Sequence, residues 1–234
     1  MNNNRVELLA PAGNKEAFIG TINAGADAVY LGGTKYSARA YADNFETEDI
    51  IFCIRYAHLR GKKVYLTVNT LMKENEINGL YDYIQPLYIA GLDACIVQDF
   101  GAFIFLQKHF PDMELHASTQ MTITGPDSAK MLKEMGATRI VPARELSLSE
   151  IKILKKESGL EIETFIHGAM CYCYSGQCLF SSILGGRSGN RGRCAQPCRL
   201  PYDVNNTTSK NKDTYPLSLK DMCTLEHIDK LIQA

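Results

Sequence analysis

Apolar positions in the first 164 residues alternate between two patterns. Short β-branched or apolar runs at 6–10, 28–31, 63–68, 94–97, 114–117, 139–141 and 161–166 predict buried strands. Longer amphipathic stretches at 15–24, 47–60, 76–90, 100–109, 128–135 and 147–158 predict helices. Their start signals are plausible: Thr47 precedes Glu48 and Asp49, and Ser147 with Glu150 fits a capping box. Gly25, Gly61, Gly91, Gly136 and Gly159 stand just past the predicted helix ends, where a left-handed residue is wanted. The strings G-A-D-A-V-Y, G-L-D-A-C-I and G-A-T-R-I-V form a weak repeat of helix stop followed by buried strand.

Strand–helix alternation with continuous apolar strands implies a parallel sheet covered by helices. With an eighth strand at 216–219 and an eighth helix at 225–232, the count predicts a (β/α)8 barrel of the TIM type. A doubly wound open sheet is the competing architecture, disfavoured because no G-x-G-x-x-G follows the first strand. The expected layout is a single domain over 5–234, with a Cys/Arg-rich insertion at 167–212 after the seventh strand. Periodicity is lost over 183–211, and 205–212 reads as an exposed hairpin tip.

A barrel places chemistry at the C-terminal ends of its strands. Those ends carry Asn69, Gln98, Asp99, Ser118, Gln120, Arg144, Glu145, His167 and Lys220. Asn69, Gln120, Arg144, Glu145, His167 and Lys220 are therefore the candidate catalytic residues. Ordinary loop polarity is the bland explanation for any one of them, less so for the set.

Composition adds limits. The net charge of −1 marks neither a nucleic-acid binder nor a membrane-surface protein in bulk. No apolar run approaches a membrane span and no signal-peptide pattern opens the chain, so a cytoplasmic location is expected. Locally the balance shifts, because Arg187, Arg191, Arg193 and Arg199 stand in a stretch without acids. Arg187, Arg191 and Arg193 are candidates for phosphate or carboxylate binding, and Arg144 for a small-molecule carboxylate.

The same stretch holds Cys171, Cys173, Cys178, Cys194 and Cys198, with Cys223 following. Cytosolic thiols are normally reduced, so metal or redox chemistry explains the cluster better than disulfides. Cys53 and Cys95 sit singly among apolar residues and read as inert buried thiols. The spacings C-x-C, C-x6-C and C-x3-C suit a cubane cluster held from several loops better than a zinc knuckle. A catalytic thiol paired with His167 stays open, although there is no H-E-x-x-H or G-x-S-x-G.

The string H-G-A-M-C-Y-C-Y-S-G-Q-C, then G-G-R-S-G-N-R-G-R-C-A-Q-P-C-R and S-L-K-D-M-C, resembles the signature of the collagenase-like peptidase family U32. The opening E-L-L-A-P-A-G-N-K-E-A-F and A-G-A-D-A-V-Y-L-G-G match its N-terminal motifs. The resemblance implies either peptidase activity or oxygen-independent hydroxylation of an RNA base or of ubiquinone. It also implies a [4Fe–4S] cluster on Cys171, Cys178, Cys194 and Cys223, with prephenate as hydroxyl source. Cys173 and Cys198 fall outside that set and leave an alternative ligand choice open. Family members normally continue into a further C-terminal region. The residues favour a cluster-dependent enzyme modifying tRNA or rRNA over a peptidase acting on proteins. A cluster-stabilised barrel serving a related partner subunit is the third reading.

Overall fold

The computed structural model describes residues 6–38, 43–203 and 214–234. The expected hairpin tip at 205–212 lies outside the described residues. Seven strands run parallel in chain order: β1 (Leu9–Ala12), β2 (Ala28–Gly32), β3 (Lys63–Val68), β4 (Ala94–Val97), β5 (Glu114–Ala117), β6 (Arg139–Ile140) and β7 (Glu161–Ile162). The crossovers are helical: α1 (Lys15–Asn23), α2 (Thr47–His58), α3 (Glu74–Ile77) with α4 (Leu80–Ile89), α5 (Phe100–His109), α6 (Pro126–Glu134) and α7 (Leu148–Ser158).

This sheet is curled, not open. On a flat sheet β1 and β6 would lie about 24 Å apart, five spacings of roughly 4.8 Å. Yet Arg139 on β6 donates to Glu7, just ahead of β1, at 2.7 Å. Tyr65 on β3 donates to the same carboxylate at 2.9 Å. The strands therefore wrap around a common axis as a curled half-barrel, and the doubly wound alternative falls.

Alternation along each strand divides the core in two. One set of side chains (Val29, Leu31, Val64, Leu66, Val68, Cys95, Val97 and Leu115 among them) packs outward against Phe18, Ile50, Ile54, Ile84, Phe103 and Leu132 of the helices. The other set, Ala28, Tyr65, Ala94 and Ile96 with Leu9 and Tyr30, fills the inside. Each outward Leu or Ile that leaves water contributes roughly 2 kcal/mol, so the helix–sheet layer is the main source of stability. Cys53 and Cys95 belong to that layer as inert thiols. Burial pushes the Cys53 thiol up to about 12 and raises Cys95 further.

Several sequence expectations shift. The first strand is 9–12 rather than 6–10; Pro11 is tolerated because β1 pairs only with β2. The helix expected over 76–90 breaks at Asn78 and Gly79. The expected eighth strand at 216–219 is not in the sheet. A turn joins Tyr215 to Ser218, and Arg199 donates to the Ser218 hydroxyl and the Leu219 carbonyl. Instead β8 (His167–Gly168) and β9 (Met222–Cys223) form a separate two-stranded antiparallel ribbon. The expected eighth helix is present as a short turn into α9 (Ile228–Gln233). The cysteine segment is thus not an excursion between two barrel strands. It follows the last strand and, with α8 (Phe180–Gly185), makes a flap.

Candidate functional site

At the C-terminal ends of the strands the barrel holds a cavity of about 230 Å³. Gly32, Thr67, Asn69, Ser118, Gln120 and Arg144 form its upper wall, with Ile96, Val141, Glu163 and Phe165 among the other lining residues. Asn69 also accepts from the Ala38 backbone N–H at 2.9 Å, fixing the loop after β2 over the cavity. Arg144 lies with its guanidinium 4.5 Å from the Phe165 ring centre, and its Nη1 is 3.6 Å from Cys171 Sγ. One cation thus touches both the cavity and the thiol segment.

The flap is fastened to the mouth on two sides. On one, Ser175 N–H and hydroxyl meet Glu145 Oε1 at 3.2 and 3.5 Å, and Thr122 donates to the Ser175 carbonyl at 2.7 Å. Gly176, at φ +76°, rests directly on the Gln120 carbonyl; any side chain there would collide with it. On the other side, Arg191 makes a bidentate pair with Glu76 at 2.6 and 3.0 Å and also donates to the Leu71 carbonyl. The Arg191 hydrogen bond, aided by the Lys73 N–H, holds the Glu76 carboxyl down at about 2.

Six thiols ride on this flap and its ribbon. Cys171, Cys194 and Cys223 are exposed, while Cys173, Cys178 and Cys198 are half-buried. The Cys178 backbone carbonyl and the Cys194 Cβ lie beside the same glycine, Gly189. Burial raises the Cys198 thiol, which also feels Cys194, Cys171 and Cys178. Burial and the neighbouring Cys178 raise Cys173. Cys223 sits on β9 directly opposite His167. Among the described residues, no three His, Cys, Asp or Glu side chains converge closely enough to grip one metal ion.

Of the residues singled out from sequence, Asn69, Gln120 and Arg144 line the cavity and Glu145 ties down the flap. His167 and Lys220 are exposed on the ribbon side and do not line the cavity. Asp99 caps α5 through the Ala102 N–H and accepts from Met72 N–H, a structural role. Gln98 is buried with Oε1 unpartnered. Arg191 is committed to Glu76, whereas Arg187 and Arg193 are exposed. Sequence reading missed Glu163. Its signal was the alternation Glu161, Glu163, Phe165, which aims a carboxyl into the barrel.

The family model described as peptidase family U32 matches residues 13–234. The chain belongs to that family. This U32 chain is 41% identical, over its whole length and 36% of the relative's, to the 23S rRNA 5-hydroxycytidine C2501 synthase of Escherichia coli strain K12. It is 39% identical to the tRNA hydroxylation protein P1 of Bacillus subtilis strain 168, over 97% of this chain and 56% of that one. A collagenase of Porphyromonas gingivalis is 34% identical over the whole chain and 60% of its own length. The U32 chain thus spans about half the length of the curated relatives it matches. In fold it is similar to the U32 peptidase Mk0906, with a TM-score of 0.61 at 15% identity, covering 73% of this chain and 72% of that one. Tryptophan synthase from M. tuberculosis shares the barrel at a TM-score of 0.50 and 14% identity, over 69% of this chain and 75% of that one.

Proposed function

We propose that this chain is the barrel of an oxygen-independent RNA hydroxylase that carries a [4Fe–4S] cluster on its flap. The observation that carries this reading is the thiol-bearing flap fastened beside the cavity, with Arg144 in contact with Cys171 and the cavity at once. The RNA-hydroxylating relatives named above support the substrate class.

The donor set suits a cluster. Four sulfurs around one zinc, at about 2.3 Å from the metal, would lie within roughly 4 Å of one another. Ligands to separate irons of a cluster stand wider apart, and thiolate is the donor such irons take; the flap and its ribbon supply six. Cys171, Cys178, Cys194 and Cys223 would hold the group, and it would pass electrons singly from the base to an electron acceptor outside this chain, which the two-electron change from C–H to C–OH requires. The protein's own residues do the rest. Arg144 takes a carboxylate of the small hydroxyl donor, for which prephenate is the proposed identity, and Asn69 and Gln120 offer amides to its other oxygens. A cavity of about 230 Å³ admits a small molecule or a single flipped-out base, not a polymer, so the RNA backbone stays outside. Arg187 and Arg193 on the exposed flap are placed to meet its phosphates.

The test is nucleoside mass spectrometry of tRNA and rRNA from a strain lacking the full-length protein. The expected result is loss of a nucleoside one oxygen heavier than its parent, restored by the wild type but not by Cys171→Ala or Arg144→Gln. Unchanged RNA, together with casein or gelatin cleavage that survives Cys171→Ala, would replace this reading with the peptidase one.

A further inference from the structure

Glu163 enters the barrel interior just after β7 and borders the cavity, whose rim also carries the Asp43 carboxylate. Its backbone N–H continues the sheet by donating to Ile140, so its position is fixed by the ladder. Its Oε2 is buried without a hydrogen-bond partner, 3.5 Å from Arg139 Nη1. Arg139 is already engaged: Nη1 donates to Glu7 at 2.7 Å, and Nε and Nη2 donate to Glu161 at 3.1 and 2.8 Å. One guanidinium therefore faces three carboxylates.

The remaining neighbours do not supply a second cation at the floor. Tyr65 on β3 gives its hydroxyl to Glu7. His116 on β5 is fully buried against the Tyr65 ring and faces Glu114 Oε2 at 3.4 Å; burial lowers its pKa, opposed in part by Glu114. Arg144 stands at the mouth, stacked on Phe165. Of three carboxylates around one cation, the one that is enclosed and makes no hydrogen bond to it is the one that keeps a proton. Glu161 is largely exposed and Glu7 is bridged directly by Arg139, whereas Glu163 has only 17% of its side chain open.

We propose that Glu163 is the proton-bearing group of the barrel cavity: protonated near neutral pH, it donates a hydrogen bond to an uncharged oxygen of a bound small carboxylate whose anionic end lies on Arg144. A cation at the rim and a neutral acid at the floor select an acid with a hydroxyl or keto oxygen remote from its carboxylates: prephenate carries both carboxylates at one end and a hydroxyl at the other, whereas malonate would set its second carboxylate against the Glu7–Glu161–Glu163 group. Burial, opposed in part by Arg139, raises the Glu163 carboxyl to about 7, in agreement with this charge count. The ligand class rests on the reading of the cavity as the co-substrate site; the protonation does not.

The test uses the whole protein, with prephenate and malonate as probes in calorimetry at pH 6 and pH 8.5. The wild type is expected to bind prephenate at least five-fold more tightly at pH 6, and malonate weakly at both. Glu163→Gln, neutral and still a donor, should bind prephenate equally at both values, and Arg144→Gln should lose binding at both. A melting curve on the same samples reports folding: Glu163→Gln should match the wild type at pH 4 and exceed it at pH 8.5. A pH dependence of binding that persists in Glu163→Gln overturns the proposal, as does a Glu163→Gln variant that gains no stability at pH 8.5. Failure of both probes to bind at either pH overturns the ligand contact while the melting curves still decide the protonation. RNA nucleoside analysis judges the hydroxylase reading separately.

Discussion

The two ends of the barrel are built from the same strands and have opposite characters. At the N-terminal end Arg139, 9% exposed, ties Glu7 and Glu161 together, Tyr65 donates to Glu7, and His116 packs edge-on against Tyr65. Apart from His116 Nδ1, this end matches its polar atoms and forms a plug. At the C-terminal end Gln98 Oε1 and Glu163 Oε2 are buried without a hydrogen bond, a cavity opens, and Arg144 on its wall contacts the exposed Cys171. Glu163 touches both worlds: Arg139 reaches it from the plug, and the cavity borders it. Polarity inside a barrel is therefore not in itself a mark of chemistry. What sets the C-terminal end apart is unsatisfied polarity beside open space.

The sharpest way to break the comparison is to remove the plug's cation. Arg139→Met leaves the enclosed Glu7 carboxylate and the exposed Glu161 without their partner, and should cost about 3 kcal/mol. In urea or thermal unfolding that is a fall of roughly 10 °C in Tm. A loss below about 1 kcal/mol would show that the plug is not structural. The reverse effect is expected at Glu163, whose folded-state carboxyl sits near 7 against an ordinary 4.5. Below pH 4.5 both folded and unfolded states are protonated, so Glu163 carries no penalty there. Between 4.5 and 7 only the unfolded state ionises, so stability falls as pH rises, and above 7 the penalty is complete. Glu163→Gln should therefore stabilise by roughly 1–3 kcal/mol at pH 8.5 and not at pH 4.

The flap latch gives a smaller, local effect. Arg191 and Glu76 are each about one-third exposed (34% and 33%), so solvent screens much of their attraction. Glu76 has a depressed pKa, so the latch is complete above the ordinary carboxylate value and is lost as pH falls from 4.5 toward 2. Glu76→Gln should accelerate proteolysis of the flap several-fold at neutral pH with little change in Tm; equal shifts in both would contradict a local latch. The smallest effect belongs to Asp99→Ala, about 1 kcal/mol for the lost cap on α5. Near-wild-type turnover in that variant would confirm the structural assignment.

Much of the architecture was legible because strands buried on their outer face read as apolar runs, and 63–68, 94–97 and 114–117 match the observed strands. The eighth strand was not legible. Pro216–Leu219 looks like a strand locally, but Arg199, far away in sequence, occupies its polar groups. At the mouth, Asn69, Gln120 and Arg144 could be placed from strand ends alone. Glu163 could not, because its meaning depends on how many other carboxylates share Arg139. Likewise Arg191 reads as a free cation in sequence, and only the fold brings Glu76 to it.

The central claim is that the mouth, not the plug, carries the chemistry, through a cluster on the flap. Iron and acid-labile sulfide measured on protein purified without oxygen test it directly. About four irons and four sulfides per chain are expected for a cubane cluster, lost in Cys171→Ala and Cys223→Ala while melting of the barrel stays unchanged. A folded protein without iron, or iron that persists in both variants, would contradict it.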